Sequence, residues 1–264
     1  MKNILWILSA ALLCSCATTT REGAVGVDRK QFMLLSSSEV VSLSKKGYAQ
    51  TKQEAQKAGT LDTNRAQVAR VQEIARRLIP HTAIFRADAT SWAWEEHVIT
   101  SNELNAYCMP GGKIMFYTAL IEKLQLSDAE IAAVMGHEIA HALREHGRER
   151  MSEQMAQNIG MQALMIFGHV DPKYMGAGAM AANVALTLPH SRGQESEADT
   201  IGLELMARAG YNPEEAVTLW KKMGSQGGKK PPALLSTHPA DDVRMHNIQA
   251  LLPKVMPLYQ AAQK

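Results

Sequence analysis

The fold is decided by Val134-Met135-Gly136-His137-Glu138-Ile139-Ala140-His141, an H-E-x-x-H run set among apolar residues. Residues four apart on an α-helix lie one above the other on one face. His137 and His141 therefore direct both imidazoles at one point, with Glu138 one step round the helix. Two neutral ring nitrogens suit a zinc ion, and the adjacent carboxylate suits removal of a proton from a water activated there. Ile131, Ala132, Val134, Met135, Ile139, Ala140 and Leu143 predict that the helix is buried, the support a metal site needs. Ser127-Asp128-Ala129-Glu130 has capping-box spacing and starts the helix, which the pattern carries on to at least Arg150. On that unbroken helix the charge run from Arg144 to Arg150 is a solvated face, and His146 points away from His137 as a poor ligand. Arg144 and Gly147 stand where an H-E-x-x-H-x-x-G-x-x-H extension needs Gly and His, so a metzincin is excluded and a third ligand must come from elsewhere.

Downstream, Gly193-Gln194-Glu195-Ser196-Glu197-Ala198-Asp199 offers it. Glu195 and Asp199 share a helical face, so one can complete a His-His-carboxylate set while the other accepts the free ring N–H of a ligating histidine. Glu197 lies about 200° round from Glu195 and is expected at the surface. Gly210 ends this helix, and Asn212-Pro213 opens the next. Residues 154–191 are rich in Met, Ala and Gly and predict two apolar helices packed over the site, with a membrane-dipping hairpin as the alternative; a lid is compatible with either. A loop from Gly224 to Pro232 precedes Ser236-Thr237-His238-Pro239 and a last helix from about Ala240 to Leu252.

Upstream, Ser36 and Glu39 form another capping-box spacing, for a helix to about Lys57. A second helix carries the stripe Val68, Val71, Ile74, Ala75 and Leu78 and stops at Pro80. Between residues 84 and 118 the pattern turns strand-like, with Pro110-Gly111-Gly112 forcing a turn, and predicts a small antiparallel sheet. An extended peptide could pair with a glycine-rich strand edge there, which makes Gly111, Gly112, Lys113 and Ile114 candidate substrate contacts.

At the amino terminus Lys2 precedes an apolar run, Ile4 to Leu13, too short to span a bilayer comfortably. Leu13-Cys14-Ser15-Cys16 resembles a bacterial lipobox with Cys16 as the modified residue, and Ala17 after it points to the outer membrane. The expected organisation is a lipoprotein signal peptide over 1–15, a lipid-anchored tether over 16–30 and a single zinc metallopeptidase domain over 31–264. A net charge of +2 on 264 residues carries no nucleic-acid footprint, and 46% hydrophobic residues argue against disorder. Three cysteines without a C-x-x-C pair give no disulfide framework, and Cys108 reads as a small buried residue.

The pairing of His137-Glu138-Ile139-Ala140-His141 with Glu195-Ser196-Glu197-Ala198-Asp199 resembles the gluzincin metallopeptidases of family M48, relatives of CAAX prenyl proteases and Oma-type quality-control proteases. Asn105-Ala106-Tyr107, Pro110-Gly111-Gly112-Lys113, Ser236-Thr237-His238-Pro239 and Arg244 carry the same resemblance, which runs from about Gln31 to Leu252. It implies a predominantly helical α+β fold with a small antiparallel sheet beside the H-E-x-x-H helix. It also implies one zinc ion held by His137, His141 and Glu195, with Glu138 as general base and Asp199 behind His137. His238 is implied near the zinc, as an oxyanion donor or an inhibitory fourth ligand, and Arg244 as an anchor of its loop. The implied substrates are unfolded or misassembled envelope polypeptides, met by a protein lipid-anchored to the outer membrane and facing the periplasm. A zinc-containing chaperone or binding module with repressed proteolysis is the alternative.

Overall fold

The computed structural model describes residues 16–168, 190–225, 233–239 and 242–264. The expected leader, most of the expected lid and most of the 224–232 loop lie outside the described residues. In chain order the elements are β1 (Cys16–Ala17), β2 (Gln31–Phe32), α1 (Ser37–Lys57), α2 (Arg65–Leu78), β3 (Glu95–Ile99), β4 (Ala106–Met109), β5 (Lys113–Tyr117) and α3 (Thr118–Lys123). There follow α4 (Asp128–Leu143), α5 (His146–Gly168), α6 (Arg192–Arg208), α7 (Glu215–Ser225), α8 (Ala233–Thr237) and α9 (Asp242–Ala262). No helix among the described residues is long and apolar enough to cross a membrane.

Helix α4 is surrounded by the rest. Ser127 and Glu130 close the expected capping box, and every residue from Glu130 to Leu143 is buried. Ile131, Met135, Ile139 and Leu143 form one fully buried stripe, each side chain contributing about 1.5–3 kcal/mol of burial. Helices α2, α6 and α7 and strand β4 pack against it. Helix α1, started by its own Ser36–Glu39 capping box, packs against β4 and β5. The hydroxyl of its Tyr48 donates to the carbonyl of Ile114 at 2.7 Å, and its ring packs with Ile99, Met109 and Met115.

The sheet differs from expectation in one respect: it is mixed, in the order β3-β5-β4, with β5 antiparallel to β4 but parallel to β3. Pro110-Gly111-Gly112 makes the β4–β5 hairpin, and Gly111 and Gly112 both take positive φ, +85° and +80°. The connection from β3 then places β4 on the far side of β5, which produces the parallel pair.

Three further expectations give way. The helix through His137 does not reach Arg150: it ends at Leu143, and Glu145 takes a φ of +52° before α5 begins at His146. The last helix runs past Leu252, through Pro253 and Pro257, to Ala262. The stretch from Thr18 to Asp28 is no loose tether but is docked on the domain. Thr20, Val25 and Val27 are buried, and β1 pairs with β2. The carboxylate of Glu204 on α6 accepts the backbone N–H groups of Ala24 and Val25 at 2.8 and 3.1 Å, fixing the turn in that segment.

Candidate metal centre

Helices α4 and α6 cross at two glycines. A Cβ on Gly202 would stand 2.7 Å from the His137 nitrogen, and one on Gly136 would stand 2.9 Å from the Gly202 carbonyl oxygen. Only hydrogen fits at that crossing, and the close approach brings Glu195 and Asp199 of α6 against the histidines of α4. Ser191 caps α6 in a box with Gln194, and Glu195 lies in the first turn, where the helix terminus favours a carboxylate.

The predicted ligands converge. His137 Nε2 is 3.0 Å from His141 Nε2, and Glu195 presents Oε1 at 3.3 Å to His141 Nε2 and Oε2 at 3.5 Å to His137 Nε2. Asp199 Oδ1 lies 2.9 Å from His137 Nδ1 and is itself gripped by Arg244 at 2.7 Å. Burial pushes the Asp199 carboxyl up, but Arg244 outweighs it and holds the group below the ordinary range. The ring hydrogen of His137 therefore sits on Nδ1, donating to Asp199, and Nε2 offers a lone pair.

That lone pair, the His141 nitrogen and the Glu195 carboxylate together form a set of acceptors that fits a cation. Among the described residues His137, His141, Glu195 and His238 each offer a ligand atom within 4.8 Å of the others. The demand for positive charge is visible in His137: burial disfavours its protonation, yet Asp199 and Glu195 raise its pKa to about 9, and a cation at Nε2 would take the place of that second proton. Nitrogen and carboxylate donors in this combination suit zinc.

Glu138 faces the same space. Burial pushes its carboxyl above the ordinary value, and its buried Oε1 accepts no hydrogen bond, with His238 Nε2 3.5 Å away. His238 arrives from the end of α8, its N–H bonded to the Leu234 carbonyl at 2.8 Å. Its Nδ1 is 2.9 Å from Glu195 Oε1 and 3.2 Å from His137 Nε2. Arg244 donates to the Pro239 carbonyl at 2.8 Å, anchoring the loop as expected, and also stacks its guanidinium on Trp220 at 3.9 Å.

The candidate substrate strand is displaced by one. Strand β5 is paired on both sides, so Lys113 and Ile114 have no free backbone edge. Ile114 is fully buried, and the Lys113 ammonium is taken by the Ala93 carbonyl and Glu95. Gly111 and Gly112 are consumed by the hairpin turn. The outer strands of the sheet are β3 and β4, and beside β4 opens a cleft of about 550 Å³ lined by Tyr107, Met109, Glu138, His141, Arg150 and His238, among others.

Sequence reasoning missed an inner ring of groups. His146 and Glu197, expected to face solvent, are buried 3.0 Å from each other, and Glu197 is paired with Arg144 and Arg29. Arg144, Glu145, Glu149 and Arg150 of the supposed solvated run are buried too. His190 stacks on His238 with ring centroids 4.8 Å apart and contacts Arg150. The break after Leu143, which no residue in the sequence signals, resets the direction of the side chains from His146 to Arg150. Cys108 is buried and free, as expected.

An H-E-x-x-H helix crossed by a second helix that brings a glutamate to both histidines defines the gluzincin class of metallopeptidase. Residues 65–252 match Peptidase family M48, and the chain belongs to that family of zinc-dependent metallopeptidases. It is 40% identical over 152 residues to the mitochondrial metalloendopeptidase OMA1 of Arabidopsis thaliana, an alignment covering 58% of this chain and 30% of the relative. To the OMA1 of Saccharomyces cerevisiae (strain ATCC 204508 / S288c) it is 34% identical over 180 residues, covering 63% of this chain and 49% of the relative. The beta-barrel assembly-enhancing protease of Escherichia coli (strain K12) is 24% identical over 198 residues, 71% of this chain and 39% of the relative. The chain thus spans between 30% and 49% of the length of these relatives.

Proposed function

We propose that this protein is a zinc metalloendopeptidase that cleaves extended segments of other polypeptides. The observation carrying this reading is the meeting of His137, His141 and Glu195 at one point, with His141 and Glu138 lining a cleft that borders an edge strand. His137, His141 and Glu195 hold the ion, and Asp199 fixes the His137 tautomer. Zinc bound there supplies Lewis acidity toward a peptide carbonyl and lowers the pKa of water. Glu138, made more basic by burial, takes the proton from the attacking water and delivers it to the departing amine. A substrate chain pairs with the outer edge of β4 through main-chain hydrogen bonds, which suits sequences of varied composition.

His238 has two roles open to it. With Nδ1 against Glu195 it fills the corner a substrate carbonyl needs and represses the site; turned outward, it donates a hydrogen bond to the developing oxyanion. Its proximity to the ligand cluster is the one observation that favours a binding or chaperone module with silenced proteolysis.

One relative's name, beta-barrel assembly-enhancing protease, supports a role for this chain in the quality control of envelope proteins. The lipobox-like Leu13-Cys14-Ser15-Cys16 supports attachment through lipid on Cys16 to a bacterial outer membrane, facing the periplasm. Misassembled envelope polypeptides are the corresponding substrates. Mass spectrometry of the mature amino terminus tests the anchor, an unmodified terminus refuting it. For the chemistry, Glu138→Gln is expected to retain zinc and fold while casein digestion falls at least ~100-fold, in line with loss of a general base. Undiminished, chelator-sensitive digestion by that variant would sink the mechanism.

A further inference from the structure

The second ligand histidine has support of its own, built from His146, beyond the H-E-x-x-H pattern, and Glu197, at a variable position of the E-x-x-x-D pattern. His141 turns Nε2 to the metal cluster, and its other nitrogen, Nδ1, lies 2.8 Å from Nδ1 of His146. At that separation one of the two nitrogens carries the shared hydrogen: two lone pairs repel and two N–H groups clash. Which one carries it is decided at the far side of His146, where Nε2 lies 3.0 Å from Glu197 Oε2. Glu197 is held as a carboxylate by Arg144 at 2.9 Å and by Arg29 at 2.5 Å, so it only accepts. The hydrogen of His146 is therefore on Nε2, its Nδ1 is a lone pair, and His141 must donate from Nδ1. That leaves His141 Nε2 unprotonated, the form a metal needs.

We propose that His146 and Glu197 are positioning residues for the metal centre, a carboxylate–imidazole relay that fixes the tautomer and angle of His141 as Asp199 does directly for His137. His146 is placed for this by the break at Glu145, whose φ of +52° redirects the chain after α4. The pair is sealed from water: His146 is 0% and Glu197 8% exposed. The inference rests on the reading of His137, His141 and Glu195 as zinc ligands.

A second reading of the same atoms is a second ion among His141, His146 and His190, which also have ligand atoms within 4.8 Å of one another. Arg150 argues against it. A guanidinium only donates, so its contact with His190 Nδ1 puts the ring hydrogen on Nε2 and a fixed positive charge beside the ion.

The test uses side chains that mimic one imidazole nitrogen at a time. The amide of His146→Asn reaches the place of Nδ1 and can accept from His141; that of His146→Gln reaches the place of Nε2 and can donate to Glu197. Zinc affinity is measured by chelator competition on the full chain, beside thermal unfolding of the metal-free protein. His146→Gln is expected to weaken zinc binding by ~10–100-fold, the cost typical of losing a partner to a ligand histidine, with His146→Asn recovering most of it. A merely structural His146 would give the opposite order, following the Glu197 contact, and would overturn the relay. So would two zinc ions per wild-type chain falling to one in either variant.

If neither variant folds, ¹⁵N spectra of histidine-labelled wild-type protein with zinc decide: hydrogens on His141 Nδ1 and His146 Nε2 support the relay, and any other assignment rejects it. Wild-type protein that binds no zinc would reject the ligand reading itself. Equal affinities in wild type and both variants would reject only the relay.

Discussion

His137 and His141 stand one turn apart on one helix and face one point, yet the protein backs them in different ways. Behind His137 is a single carboxylate, Asp199, locked by Arg244 from α9. Behind His141 is a longer chain through His146 to Glu197, and Glu197 is locked by arginines from two further places: Arg144 at the end of α4 and Arg29 in the amino-terminal segment. The short limb depends on elements of the family core. The long limb keeps His146, Glu197 and Arg144 within the family match, residues 65–252, and adds one member, Arg29, from the chain before it. One helix thus takes most of its support from the common fold and a last fastening from what precedes it.

Three substitutions sharpen that contrast. The largest effect is expected from Gly202→Ala, which strikes both limbs at once: the added methyl meets the His137 nitrogen at 2.7 Å, backbone that has nowhere to go. Forced separation of α4 and α6 should cost on the order of 2–3 kcal/mol in denaturant unfolding. Zinc affinity should fall with it, and a Gly202→Ala protein of wild-type stability would refute the crossing as described. Next is Asp199→Asn, which removes the charge that Arg244 and His137 share. Leaving Arg244 partly uncompensated in a buried site is expected to lower zinc affinity by ~10–100-fold. The smallest effect is expected from Arg29→Ala. Its guanidinium is partly exposed, so the loss from the long limb should be under ~10-fold in affinity at physiological salt. If Arg29→Ala matched or exceeded Asp199→Asn, the two limbs would have to be ranked the other way.

Much of this site was legible in the sequence because helices expose their geometry through spacing. The four-residue intervals of His137/His141 and Glu195/Asp199 fixed which atoms could meet. The caps at Ser36 and Ser127 and the stop at Gly210 fixed where those helices begin or end. What was not legible came from one residue in a conformation its type rarely takes. Glu145 sits at φ +52°, where glycine is the usual occupant, so nothing in the string Arg144-Glu145-His146 announces a break. A helix extended through it rotates His146 to the wrong side, and Glu197, about 200° round its own helix from Glu195, is then expected at the surface with no partner to meet. The strand error has another source. Local pattern identifies β4, β5 and their turn, but which of the two keeps a free edge depends on where β3 docks, a long-range pairing that neither strand encodes.

The docked amino-terminal run has a practical consequence. Between Ala17 and Phe32 there is little spare chain: Thr19 bonds Gln31, Arg21 bonds Phe85, Glu204 holds the turn, and Arg29 grips Glu149 and Glu197. A protein held to a surface at residue 16 would ride on it like a stud and not swing from it like a kite, so its reach would be limited to chains presented close by. The same run is also where a domain boundary drawn from sequence pattern would fall. A recombinant chain begun at Gln31 would be missing Arg29, and the zinc site it was meant to isolate would arrive with one of its fastenings cut.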